Sequence, residues 1–273
     1  MFAQKKNNHI AYCLVLSVCT LILVVAGYWA SPPNSFTETF FFALGGKMPE
    51  GLIQGAIYFC FFLALFGVDA LNARLRREHS IYSARLLPET EQYVLYPEDV
   101  NQIKLRTIEA ERHLGPSMIT DLIKQAATKF RSNHSPADAL AMVETVSDMQ
   151  RKAFEREFWL INTCQNLIPA LGFLGTVLGM AAAILNMGEV RLMAQASPTT
   201  GAVAAAVPQT AIGAADISML IDNLGTAFFT TILSIVLGII VSIVVKRTET
   251  RVEDFLTGSK RYVVENLVNR IHL

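Results

Sequence analysis

The stretch Ile168-Pro-Ala-Leu-Gly-Phe-Leu-Gly-Thr-Val-Leu-Gly-Met180 decides the fold. It carries no charge and reads as part of a membrane-spanning helix. Yet it holds Pro169, three glycines (Gly172, Gly175 and Gly179) and a single hydroxyl, Thr176. Proline and glycine are poor helix formers. In lipid they are tolerated where neighbouring helices pack closely enough to need small residues. The pattern partly recurs in Gly225-Thr-Ala-Phe-Phe-Thr-Thr-Ile-Leu-Ser-Ile-Val-Leu-Gly238. Two such helices in one chain suggest a wall around something polar.

Composition agrees with a membrane protein. Of 273 residues, 52% are hydrophobic and only 17% charged, less charge than a soluble domain carries. The net charge is zero, so no global field argues for nucleic acid. Cys13, Cys19, Cys60 and Cys164 lack zinc or redox spacing and read as thiols packed in apolar runs. The five histidines show no metal spacing either.

A bilayer crossing takes about 20 apolar residues. Four stretches qualify, at 10–30, 52–71, 163–187 and 217–245. Lys5 and Lys6 before the first resemble a signal peptide. The run is long for one, and Tyr28-Trp29-Ala30 lacks a small-x-small cleavage site, so it reads as an uncleaved anchor. With both termini inside, 21 of the 23 Lys and Arg fall on the cytoplasmic side, as the positive-inside rule requires. Only Lys47 and Arg191 remain outside.

The expected fold is therefore all-α: a polytopic inner-membrane protein with four spans, the last two extended into a helical cytoplasmic domain. Residues 1–71 form a membrane hairpin, 72–160 a cytoplasmic domain, 161–245 a second hairpin and 246–273 a cytoplasmic helix. Within the cytoplasmic part, Pro97-Glu98-Asp99 starts a helix that Gly115-Pro116 stops. Ser117 caps a second helix that fades at Asn133. Ser135-Pro136-Ala137-Asp138 starts a third, and no breaker follows until Pro169. Continued to Leu185, that helix has about 50 residues and spans roughly 75 Å. The fourth span continues past the membrane through Arg251 and Phe255. The outer segment 186–215 has room for a short interfacial helix. The Arg-Leu-Arg-Arg run at 74–77 reads as an orientation signal, with docking of another protein as the alternative.

Helical rise places Thr176 and Thr231 each roughly 20 Å into the membrane from opposite ends of antiparallel helices. Thr230 and Ser234 share a face of the fourth span, with Thr226 one turn above. Any one of these hydroxyls could simply bond back to its own helix, and the glycines could serve packing alone. Together they suit a narrow hydroxyl-lined pore. No carboxylate lies at that depth, although a proton or sodium path needs an ionisable group. The absence points to a partner helix bearing an Asp. No nucleophile–base pair or carboxylate pair argues for an enzyme.

At these residues the chain resembles the MotA/TolQ/ExbB family of ion-driven stator and energiser subunits. Pro169 to Gly179 is similar to the family's Pro-x-Leu-Gly-x-x-Gly-Thr-x-x-Gly span, and Ala227-Phe-Phe-Thr-Thr231 to its Ala-Leu-x-x-Thr motif. The resemblance implies a pentamer whose two pore-side helices enclose a dimer of single-span partners of the MotB/TolR/ExbD type. The partner's membrane Asp would carry the ion, H+ or alternatively Na+, past Thr176 and Thr231. It implies no resident cofactor. Pro169, Gly172, Gly175, Gly179, Ala227, Thr230 and Ser234 would line the pore or pack its helices. Ser234 stands where the family tends to have glycine, and either bears on ion choice or fills space. Four spans with a long insertion look more like the flagellar branch. The alternative reading is a non-conducting membrane scaffold or receptor subunit.

Overall fold

The computed structural model describes residues 2–33, 35–46, 51–83, 85–88, 94–196 and 214–271; side chains are described for these except at 2–10, 186–196, 214–223 and 226. Seven α-helices follow in chain order among them: α1 Phe2–Ala30, α2 Phe36–Ala43, α3 Gly51–Tyr82, α4 Pro97–Leu114, α5 Met118–Asn133, α6 Pro136–Ala196 and α7 Ala214–Asn266. Among the described residues, four stretches are long and apolar enough to cross a membrane: Ala11–Ala30, Gly51–Tyr82, Pro136–Leu185 and Ala227–Arg270. The chain divides into two compact units. An apolar unit holds Met1–Phe66 with Asn162–Ser242, and a polar unit holds Gly67–Ile161 with Ile243–Leu273.

The helix ends fall where local chemistry puts them. Asp99 accepts from the Tyr96 N–H at 3.0 Å and fixes the start of α4. Gly115 ends it at φ +85, a backbone conformation that side chains with a Cβ disfavour. The Ser117 hydroxyl accepts from the Ile119 N–H, while the Ser117 N–H donates to Thr120. The Asp138 N–H donates to Ser135 at the head of α6. That helix runs on through Pro169 to Ala196, nine residues beyond the span expected to close at 187. A mid-helix proline forfeits one backbone hydrogen bond, here the one Gln165 would accept. The Gln165 side chain meanwhile donates to the Ser242 hydroxyl at 3.2 Å.

Between the first two apolar helices, α2 forms where only a connection was expected. Ser35 caps it, and Ser35-x-x-Glu38 is a capping-box spacing. Of the segment 186–215, expected to have room for an interfacial helix, residues 186–196 continue α6, while 197–213 lie outside the described residues. In the apolar unit, Tyr58 donates to the Leu44 carbonyl at 2.9 Å and Gln54 to that of Ala43 at 3.3 Å. Both bonds fasten the turn after α2 to α3. Cys13, Cys60 and Cys164 are buried thiols, while Cys19 is exposed.

The core of the polar unit surrounds α5. Ile119, Leu122, Ile123 and Phe130 pack against Val143 and Val146 of α6 and Val263 and Leu267 from the α7 end. A polar clasp holds the α4–α5 turn. Buried Glu78 of α3 accepts from the Ser117 hydroxyl at 2.8 Å and the Met118 N–H at 2.9 Å. Gln150 of α6 donates to the Met118 carbonyl at 3.0 Å. The carboxylate thus sits at the positive end of the α5 dipole. Glu78→Ala leaves two buried donors without an acceptor, each worth about 1–3 kcal/mol. Thermal unfolding of the polar unit is expected at lower temperature, with earlier protease cleavage at 115–118. Glu78→Gln, which keeps one acceptor oxygen, should lose less. Equal stability of the alanine variant and the native chain would refute the clasp.

Candidate functional site

The second half of α6 and the first half of α7 pack along a seam of small residues. Gly172 and Gly175 are buried, and the side chains of Thr230 (3% exposed) and Ser234 (0%) fill the space they leave. A Cβ on Gly172 would lie 1.8 Å from the Ser234 Oγ, and one on Gly175 would lie 2.7 Å from the Thr230 Oγ1. Neither distance is possible between real atoms. Glycine at these positions is therefore what lets the helices approach. Both hydroxyls are also turned back onto their own helix. Thr230 donates to the Ala227 carbonyl at 2.7 Å and Ser234 to that of Thr231 at 2.9 Å. Ser234 thus fills the gap beside Gly172.

Thr176 and Thr231, 55 residues apart in sequence, are brought together and hydrogen-bond one another. Two backbone carbonyls complete the group. Thr176 Oγ1 lies 3.1 Å from the Gly172 oxygen and 3.3 Å from that of Ala227. Thr231 Oγ1 lies 3.1 Å from the Gly172 oxygen and 3.4 Å from that of Ala227. Each hydroxyl thus reaches its own helix and the facing one. Four oxygens meet here with only two hydroxyl protons among them. Both threonines are half-buried, unlike Thr230 and Ser234. The pair consequently borders the surface of the hairpin while its neighbours are sealed inside.

The remaining predicted residues frame this group. Ala227 is buried and supplies a carbonyl; Gly179 is half-buried; Pro169 is exposed. The Thr226 side chain lies outside the described residues. Neither 163–185 nor 224–245 contains an Asp, Glu, Lys or Arg. Any ion passing the threonines would find oxygen ligands here but no counter-charge. Among the described residues, no group of three His, Cys, Asp or Glu could hold a metal ion.

Two features of the site were not read from sequence. The carbonyls of Gly172 and Ala227 have no side-chain signature. The surroundings of the pair also come from distant segments. Phe42 of α2 meets Phe229 edge-on at 6.1 Å between centroids, and Ile53 of α3 stands 3.4 Å from where a Cβ on Gly175 would sit. The threonines therefore lie level with the first turn of α3.

Comparison with curated proteins and with solved structures gives no match. A family comparison does. The matched segment runs through α5 and α6 into the first turn of α7; it includes Thr176 and its glycines and ends before Thr231. Residues 115–216 match the MotA/TolQ/ExbB proton channel family, the same family that the two motifs resemble.

Proposed function

We propose that this chain is the A-type subunit of an ion-driven membrane motor. Five copies form a wall around a dimer of single-span partners, and the partner's membrane Asp carries a proton (sodium being the other candidate ion) past Thr176 and Thr231. Both termini face the cytoplasm of a bacterial inner membrane. The chain performs no catalysis of its own; ion flow is converted to rotation or other mechanical work. The observation that carries this reading is the oxygen group of half-buried Thr176 and Thr231 with the Gly172 and Ala227 carbonyls, set between the stretches 163–185 and 224–245, which carry no charge. A hydroxyl pair can pass a proton to and from a carboxylate, but a membrane proton path needs that ionisable group. The family match supports a proton-channel setting.

The test is reconstitution. The chain and a single-span protein bearing a membrane Asp, encoded beside it, are co-purified into vesicles, and proton uptake is followed under an imposed potential. Uptake is expected only with both proteins and is expected to vanish when the partner Asp becomes Asn. Uptake by the chain alone, or none by the pair, would sink the reading. The seam of Thr230 and Ser234 against Gly172 and Gly175 also suits a non-conducting scaffold. That reading predicts a stable chain with no copurifying single-span protein.

A further inference from the structure

Three of the chain's four cysteines stand on three different helices of the apolar unit: Cys13 on α1, Cys60 on α3 and Cys164 on α6. All three are free thiols, at 0%, 8% and 3% exposure. Cys19, also on α1, is exposed. The Cys60 and Cys164 side chains hydrogen-bond one another. They lie 104 positions apart in sequence, so no spacing rule joins them.

Packing of the helices agrees with this contact. Ile53 of α3 stands 3.4 Å from where a Cβ on Gly175 would sit. Seven residues on along antiparallel helices, Cys60 comes level with Ile168, one turn from Cys164. Leu21 of α1 likewise stands 3.4 Å from where a Cβ on Gly55 would sit. Five residues on, Cys60 comes level with Leu16, and Cys13 is within one turn. The three thiols therefore share one layer of the unit. Among the described residues no three such groups could hold one metal ion, so the chemistry open here is that of the contacting pair.

A buried cysteine can serve as a small apolar side chain and nothing more. Alone it is inert, because the thiolate is the nucleophile and an apolar setting disfavours charge. A second thiol in contact changes both points. Its hydrogen bond steadies negative charge on the attacking sulfur. A disulfide requires two sulfurs at about 2.0 Å, and here they start as neighbours.

We propose that Cys60 and Cys164 are an oxidative modification site, which a peroxide closes into a reversible disulfide tying α3 to α6 within one chain. Hydrogen peroxide is small and uncharged, as entry to an apolar layer requires. The Cys60 sulfur, the more open of the two, attacks one peroxide oxygen. The O–O bond breaks, leaving a sulfenic acid on Cys60 and one water that carries off the thiol proton. The Cys164 sulfur then attacks the Cys60 sulfur. The S–O bond breaks, and the hydroxyl leaves as a second water with the Cys164 proton. Two thiols are oxidised by two electrons in all, and the peroxide is reduced to two waters. A dithiol reverses the bond by exchange and leaves as its own cyclic disulfide. The tie closes a long loop, so it constrains the unfolded chain strongly.

The test uses the full chain in nanodiscs, treated with hydrogen peroxide, alkylated in denaturant, digested and read by mass spectrometry. Cys19 is an internal control for oxidant reaching the membrane. Cys60 and Cys164 are expected to leave the free-thiol pool together, in equal amounts, with the gain of one peptide linking them. Dithiothreitol should return both thiols. The oxidised chain should unfold at higher temperature than the reduced one. Cys13→Ala should leave the link intact, while Cys60→Ala and Cys164→Ala should each abolish it. Free Cys60 and Cys164 at a dose that consumes Cys19 would overturn the site. So would a link from Cys13 in place of either, a link between separate chains, or oxidation of Cys60 to sulfinic acid beside an unreacted Cys164. Because the decisive measurement is made on the native chain, a variant that fails to fold leaves the answer unaffected.

Discussion

Replacing Thr176 and Thr231 together by valine is expected to reduce proton uptake in the reconstituted complex to background while leaving the chain folded. Valine keeps the branched shape and removes only the hydroxyl. If these hydroxyls merely bridge α6 and α7, their loss costs about 0.6 kcal/mol each, typical of hydrogen bonds between membrane helices. That would move the melting temperature by a few degrees and leave flow intact. If they relay the ion, flow falls by at least tenfold, equivalent to about 1.4 kcal/mol or more of barrier. The two outcomes therefore separate on a plot of flow against stability. Each hydroxyl contacts both carbonyls of the group, so either single valine should retain intermediate flow. Thr176→Ser and Thr231→Ser keep the hydroxyl and should stay near native. Full flow in the double valine variant would remove the site.

The second large effect concerns the seam. Gly172→Ala places a methyl carbon 1.8 Å from the Ser234 Oγ and 2.5 Å from its Cβ. The helices must then separate or shift, at a cost of about 1–3 kcal/mol for an overpacked site. Because Gly172 also lends its carbonyl to the threonine pair, separation should weaken ion flow as well as stability. The clash defines its own cure. Ser234→Ala removes Oγ but leaves Cβ, and should rescue Gly172→Ala only in part. Ser234→Gly removes both atoms and should restore stability and flow. Thermal unfolding and uptake in these three variants, beside the native chain, are the measurements. A Gly172→Ala chain as stable as the native one would show that the helices are not held at this distance.

Whatever depends on local chemistry could be read directly from the sequence. Pro97, Ser117 and Ser135 start helices because proline and hydroxyl caps act within one turn, and those starts are found in place. The meeting of Thr176 with Thr231 could also be anticipated, because helical rise is constant and two antiparallel spans have fixed ends. What depends on which face touches which was not legible. Thr231 and Ser234 are three residues apart on one helix, and only packing decides that the first borders the surface while the second fills the gap beside Gly172. The overrun of α6 to Ala196 was missed because the span estimate stopped where the apolar run weakens, not where helix propensity does. In α2 the spacing Ser35-x-x-Glu38 was a usable signal, overlooked because eight residues are too few for periodicity. Glu78 gave none: one acid at the foot of an apolar helix looks like any solvated charge until a helix N-terminus is set upon it.

The parallel pairing of Leu95 with Ile271 has a consequence for biogenesis. The Leu95 N–H donates to the Arg270 carbonyl at 2.8 Å, and Tyr262 bonds Leu87 across a separation of 175 residues. Val263 and Leu267 fill the same core as Phe130. During synthesis, α4 and α5 therefore emerge long before the residues that close over them. Such long-range contacts form late because loop closure precedes any reward. Until residues 262–271 arrive, Phe130, Leu122 and Ile123 lack part of their cover. A chain halted before that point should present an apolar face to chaperones and proteases, so the cell could distinguish finished chains from unfinished ones.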